Sequence, residues 1–364
     1  MTSAGSVHLT AYEAEYEAIL VRARHAVTRY PPLLRDLAEP LLPRWGEASF
    51  SRIVALLPYW VAGLLDQTLP LEGGPLPSRP DETETLALAN LLGWWSHLIQ
   101  DGLLDRELDH AELLPLSMTL HASAVRLLTQ LLPGHPSFWG TFEQLSLTSS
   151  EACAWEQQRR LEYLVDLDAA GPGPADQDHA DPGQQDQDRA GLGQQDQDRI
   201  ADRSSLLQLA VVAQFALRGL EQEHPLCTAI TETLRHYAIA RQIGDDRSDW
   251  AQDLQNGQLN HVSSRLARRM LTTGAIESFV ELDVERMMGY YLYDDELFAS
   301  IQQEAMGACQ RAAQCIAPYR SRPLDSLVSE LAQQLECGYR DALEGRRRLQ
   351  AVFALEGRGS RQSL

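Results

Sequence analysis

The chain contains no lysine: all 31 of its basic residues are arginine. That absence excludes every mechanism that needs a lysine. It leaves arginine, whose planar fork matches phosphate and carboxylate oxygens, to grip any anionic ligand. A GC-rich genome would give the same bias, and the consequence holds either way. Cysteine is sparse. Five residues (Cys153, Cys227, Cys309, Cys315 and Cys337) include no C-x-x-C pair, which points to reduced, buried thiols in a cytosol and away from disulfides or structural zinc. Positive charge is in deficit, 31 basic against 51 acidic residues for a net −20, which argues against binding to nucleic acid or to an anionic membrane surface. No apolar run reaches the ~18 residues needed to span a bilayer. The N-terminus, MTSAGSVHLTAYEAEYEAIL, lacks the basic region and apolar block of a signal peptide. The expectation is a soluble, cytoplasmic protein with no integral membrane segment.

Strand signals are missing as well: there is no long alternating pattern and no NG/DG hairpin. What remains is helical periodicity over most of 364 residues, enough chain to bury a large core. The fold class expected is all-α, with residues 1–364 read as a single domain. A helix is expected over 9–29, stopped by Pro31 and Pro32, and an apolar helix or helix pair over 48–66 with Pro58 inside. A Pro/Gly loop is expected over 68–81. Further helices are expected over 82–105, 117–132, 137–165, 204–220, 227–254, 259–272, 275–289, 294–317 and 323–350, with a flexible tail over 357–364. The segment SSLLQLAVVAQFALRGL at 204–220 is apolar almost all round and reads as a buried helix, capped by Ser204 or Ser205. Residues 166–203 break the pattern with a tenfold-spaced repeat, DQDHADPGQQ, DQDRAGLGQQ, DQDRIADR. Ten Asp and three Arg give this insert −7, so the remainder carries −13. Low hydrophobicity, Gly, Pro and net charge mark it as a disordered loop. The DQD repeats lack the spacing of a calcium loop.

Two sets of aspartates stand at helical spacing. Asp245, Asp249 and Asp253 lie in RQIGDDRSDWAQDLQNGQLN, and Asp101 and Asp105 in WWSHLIQDGLLDRELD. Residues four apart share a helix face, roughly 6 Å apart along the axis, so each set forms a column of carboxylates. Like charges at that spacing destabilise an isolated helix by a few tenths of a kcal/mol per pair. Open solvent or a bound cation must offset the cost. Carboxylates without a nitrogen or sulfur ligand suit Mg²⁺, which binds few protein oxygens and keeps positions for water and phosphate. A solvated acidic face would show the same spacing. The apolar surroundings of the second set (HYAIARQIG) and its Gly-containing end favour the cation reading. Arg241 lies one turn before Asp245 on the same face, and Asp246 points elsewhere.

These motifs resemble those of the class I isoprenoid synthase superfamily. DGLLD at 101–105 is similar to a first Asp-rich motif in its D-x-x-x-D form; the D-D-x-x-D form would need an aspartate where Gly102 stands. DDRSDWAQD at 245–253 is similar to the terpene cyclase triad, and SDWAQDLQNGQ to the squalene/phytoene synthase form with Ser248 and Gln258 in place of arginines. The resemblance implies a class I terpenoid synthase-like helical bundle around a central cavity, acting on a prenyl diphosphate. It implies three Mg²⁺ ions held by Asp101, Asp105, Asp245, Asp249 and Asp253, which would also be the catalytic residues. It implies diphosphate grips at Arg241 and Arg218, with Arg265, Arg268 and Arg340 as further guesses. Trp94, Trp95, Phe215 and the 204–220 helix are candidate cavity walls. The activity implied is a terpene synthase, a carbon–oxygen lyase that ionises the substrate and then cyclises it or eliminates. Head-to-head joining of two prenyl diphosphates and a non-catalytic helical binding protein are the alternatives, and a homodimer is compatible with all three. Only Arg106 follows the first motif closely, and lysine is absent, which counts against chain elongation.

Overall fold

A proline inside a helix deletes one backbone donor and leaves the carbonyl four residues earlier without its partner. Pro58 does this in the apolar helix Ser49–Thr68. The carbonyl it frees, that of Val54, accepts instead from Asn90 Nδ2 at 2.6 Å, and the Pro58 carbonyl accepts from Gln214 Nε2 at 3.2 Å. The carbonyl that the proline leaves free is thus taken up by a polar side chain from elsewhere in the chain.

The structure, a computed structural model, describes residues 12–69, 79–108, 110–158, 195–278 and 281–359. Among them there are fourteen α-helices and no strand. In chain order they are α1 (Glu13–Thr28), α2 (Pro32–Ala38), α3 (Leu42–Glu47), α4 (Ser49–Thr68), α5 (Pro80–Leu104), α6 (Leu113–Leu131) and α7 (Pro136–Gln157). Then follow α8 (Gln195–Arg203), α9 (Leu209–Leu217), α10 (Pro225–Gln255), α11 (His261–Thr272), α12 (Val284–Tyr293), α13 (Asp295–Ile316) and α14 (Arg322–Gly359). No helix among the described residues is long and apolar enough to cross a membrane.

The chain divides into two compact units. The first comprises Met1–Ser149, Ser205–Leu234 and Ala313–Leu327. Here α5 packs on α4 and α6, and α9 packs on α4 and α5. Leu86, Ala89, Leu128, Leu132, Phe138, Val212 and Ala213 form one buried apolar cluster. The second comprises Ser150–Ser204, Arg235–Ala312 and Val328–Leu364. Its aromatic core runs from Trp250 to Tyr291 (ring centroids 5.0 Å), to Phe298 (5.5 Å) and to Tyr339, which stacks on Phe298 at 5.0 Å.

Several boundaries differ from the sequence expectation, each for a local reason. Pro31 and Pro32 do not merely end α1; Pro31 is the N-cap and Pro32 the first residue of α2, where a missing N–H costs nothing. The helix expected at 275–289 begins at Val284, because the Asp283 carboxylate accepts from Arg286 N–H at 2.7 Å as its cap. Ser205 does not cap an α-helix. Its hydroxyl donates to the Leu145 carbonyl at 3.0 Å, and a 3₁₀ turn, Ser205–Gln208, precedes α9. The loop expected over 166–203 falls largely outside the described residues, but its last part is α8. That helix is held within the second unit by ion pairs: Arg199 with Glu151 (2.9 Å), Arg203 with Glu156 (2.6 Å), and Arg235 with Asp198 (2.5 Å) and Asp202 (3.3 Å). The third repeat copy thus supplies both signs of charge to matching partners, which composition alone does not reveal. Helix α14 runs through Gly359, so the flexible tail expected from 357 begins inside it, and 360–364 lie outside the described residues.

Candidate carboxylate sites

Both aspartate sets sit at the C-terminal ends of helices. Asp101 occupies the last turn of α5, and Asp105 is its C-cap, donating its N–H to the Asp101 carbonyl at 2.8 Å. Asp249 and Asp253 occupy the last two turns of α10, and Asp245 the turn before. Carboxylates near a helix C-terminus face the negative end of the macrodipole, at roughly 0.3–1 kcal/mol each. Neither helix places a basic residue in its last turn to offset this.

The first set belongs to the first unit. The chain leaves α5 through Arg106, held in the left-handed region at φ 59, and Leu108 folds back so that its N–H donates to the Gly102 carbonyl at 2.9 Å. A Cβ at position 102 would lie 2.9 Å from the Leu108 side chain. A side chain at 102, as the D-D-x-x-D form needs, would therefore require Leu108 to move. Of the candidate wall residues in this unit, Trp95 and Phe215 are 0% exposed and belong to the core. Trp94 keeps partial exposure and packs on Phe50 (4.6 Å) and His97 (5.8 Å).

The second unit carries the column of three. Helix α10 stops where the sequence predicts, at Gly257 (φ 79). The Gly257 N–H donates to the Leu254 carbonyl and the Gln258 N–H to the Asp253 carbonyl, a closure that needs a left-handed residue. Along the column each carboxylate has different company. Asp245 has Arg241 Nε at 3.4 Å. Asp253 accepts from Asn260 Nδ2 at 2.8 Å. Asp249, between them, has no side-chain hydrogen-bond donor among the described residues. Loss of hydration, then the charges of Asp253, Asp246 and Asp245, push its carboxyl up to about 7. Loss of hydration also raises Asp245, against the opposing charge of Arg241.

Asp246 does point elsewhere, into protein. It is 4% exposed, and its oxygens accept from Gln242 Nε2 (2.7 Å) and the His261 N–H (2.8 Å). It lines a solvent-open cleft of about 450 Å³ with Trp155, Arg199, Arg203, Asn260 and His261. Arg247, 6% exposed, donates to Gln302 Oε1 and lies over the Tyr339 ring at 6.0 Å. Close approach of α10 and α14 depends on Gly244, where a Cβ would fall 2.5 Å from Leu335 Cδ2.

The arginines divide in the same way. Arg241 stands on the column. Arg218 is 4% exposed in the first unit and is spent there on Asp66 Oδ1 (2.8 Å) and the Ala62 carbonyl (2.9 Å), which anchors α9 to α4. Arg265 is engaged by Glu304 and Ser300, and Arg340 by the Glu336 carbonyl and Cys337 Sγ. Arg247 and Asn260 are not singled out by the sequence, which sets Asp246 apart only as pointing off the column. The only local signal was that Asn260 precedes an apolar-periodic run, as an N-cap does.

An all-oxygen donor set matches a hard cation such as Mg²⁺. Among the described residues no three His, Cys, Asp or Glu side chains converge tightly enough to hold a metal unaided. A cation on the α10 column would therefore take its remaining ligands from water or substrate, which Mg²⁺ prefers.

No protein-family model matches the chain, and no curated protein matches it by sequence. Solved structures do. A polyprenyl synthase from Roseobacter denitrificans matches with TM-score 0.61 at 15% identity, over 90% of this chain and 97% of that one. An octaprenyl pyrophosphate synthase from Helicobacter pylori matches with TM-score 0.56 at 12% identity, over 88% and 99%. A geranylgeranyl pyrophosphate synthase from Lactobacillus brevis matches with TM-score 0.61 at 14% identity, over 90% and 97%. With the helices and the carboxylate columns in view, the chain adopts the all-helical isoprenoid synthase fold.

Proposed function

We propose that the protein ionises a prenyl diphosphate with the help of Mg²⁺ and then cyclises the resulting cation or eliminates a proton from it. The observation that carries this is the α10 column: three carboxylates one turn apart, the middle one with no side-chain donor among the described residues, at a helix end with no basic residue in its last turn. Such a column is costly by itself and favourable once a cation sits on it. When bound, Mg²⁺ would neutralise the departing diphosphate as its C–O bond breaks. Asp245, Asp249 and Asp253 would hold cation, and Asp101 with Asp105 are proposed as further ligands. Arg241, one turn from Asp245, would meet diphosphate oxygens with its fork. Termination without chain extension is supported by what is absent: no lysine anywhere, and only Arg106 soon after Asp105.

Likeness in fold to a polyprenyl, an octaprenyl pyrophosphate and a geranylgeranyl pyrophosphate synthase favours a second reading, extension of a prenyl diphosphate by further isoprene units. One experiment separates them. The full chain is incubated with Mg²⁺ and C10, C15 or C20 prenyl diphosphates, each alone and with isopentenyl diphosphate, while diphosphate release and organic products are measured. Cyclic or eliminated hydrocarbons from a single substrate are expected. Longer prenyl diphosphates formed only with isopentenyl diphosphate would establish the second reading. A hydrocarbon of doubled carbon number would mean head-to-head joining. No diphosphate release from a folded chain would reduce it to a binding protein.

A further inference from the structure

We infer that Asn260 is a positioning residue for the α10 column, fixing the Asp253 carboxylate through a side-chain amide that also caps α11. The inference rests on the proposed cation site and adds a residue to it. The geometry leaves the amide one orientation. Its Oδ1 accepts from the Ser263 N–H at 3.0 Å and from the Ser263 hydroxyl at 3.1 Å. Its Nδ2 donates to Asp253 Oδ2 at 2.8 Å and to the Asp246 carbonyl at 3.1 Å. A flipped amide would set Nδ2 against the Ser263 N–H and Oδ1 against a carboxylate and a carbonyl, so three of the four contacts would fail together.

The anchor itself is held. Asn260 has extended backbone (φ −81, ψ −177) and is the N-cap of α11, whose first residues His261, Val262 and Ser263 are buried. The next N–H, that of His261, donates to Asp246 Oδ2. The five residues between α10 and α11 are thus tied at both ends, by the Gly257 closure and by the Asn260–Asp246–Asp253 contacts. One Asp253 oxygen is committed to Asn260, and the carboxylate is presented in a set direction before any cation arrives. Partners of this kind, one step removed from a metal, typically carry 10–100-fold in affinity, because a ligand already held loses less rotational freedom on binding.

The cap and the anchor use different atoms, so they can be separated. Asn260→Ser keeps an oxygen for the Ser263 N–H, as good N-caps do, and removes the Nδ2 donor. Binding of Mg²⁺ alone to the full chain is measured by calorimetry, with thermal melting in parallel. The expected result is about tenfold weaker Mg²⁺ binding with melting close to the parent's. In an Asp253→Asn background the same substitution is expected to have no further effect on Mg²⁺ binding, because Asn260 acts through Asp253. Parent-like Mg²⁺ affinity in Asn260→Ser, or a full additional loss in the Asp253→Asn background, would overturn the inference while leaving the cation site standing. Absence of Mg²⁺ binding by the parent protein would overturn the cation site itself, and the inference with it. If Asn260→Ser fails to fold, Asn260→Thr offers the same capping oxygen and is read in the same way.

Discussion

Replacing Asp249 by asparagine keeps the size of the side chain and removes its charge, which isolates the cost of the carboxylate column. The Asp249 carboxyl sits at about 7 against an ordinary 3.8. The folded protein therefore keeps this proton up to near neutral pH, whereas the unfolded chain releases it near pH 4. Between these values the folded state binds more protons, so stability falls as pH rises from about 4 to about 7 and stays lowered above. For a fully shielded group that span corresponds to roughly 4 kcal/mol. Asp249 is open to solvent on one side, and screening leaves about 1–2 kcal/mol. At pH 8 without Mg²⁺, Asp249→Asn should therefore be more stable than the parent, with melting raised by about 1–3 °C; at pH 4 the two should coincide. Mg²⁺ should raise the parent's melting temperature at pH 8 and do little for the variant. Calorimetric melts at both pH values, with and without Mg²⁺, read all of this. A variant no more stable than the parent at pH 8, or equal Mg²⁺ shifts in both proteins, would refute the reasoning.

Three further outcomes follow from particular contacts. Gly244→Ala sets a methyl 2.5 Å from Leu335 Cδ2 and should cost about 1–3 kcal/mol of stability, seen as a lowered denaturation midpoint. Arg218→Ala strips buried partners from the Ala62 carbonyl and from Asp66; it should destabilise by about 1–3 kcal/mol while leaving the KM for a prenyl diphosphate unchanged at a temperature where the variant is folded. Helix α8 is held largely by ion pairs, which salt screens, so amide exchange over 198–203 should speed up between 0.05 and 0.5 M NaCl, on the order of the ionic strengths where screening grows, while 239–250 of α10 stays protected.

Much of the secondary structure was legible because it is written in neighbours along the chain. The i, i+4, i+8 spacing placed Asp245, Asp249 and Asp253 on one face of one helix, and Gly257 ended that helix as expected. The same local logic read Pro58 as a defect in α4, since its missing N–H is a property of the residue itself. The short helices α2 and α3 were less legible, because a run of six or seven residues carries too little periodicity to stand out.

What local patterns do not carry is the identity of a distant partner. Arg218 could be a ligand grip or an anchor until Asp66 and Ala62, more than 150 residues away, are seen to hold it. Asn90 repairs Val54 across 36 residues, and α8 emerges from an acidic repeat because Glu151, Glu156 and Arg235 complement its charges. Within the column, spacing alone determined which carboxylates share a face. Only the tertiary structure decided that Asp253 is held by Asn260, that Asp245 is paired with Arg241 and that Asp249 meets no side-chain donor among the described residues, because hydration and hydrogen bonding depend on what folds alongside a side chain rather than on what precedes it.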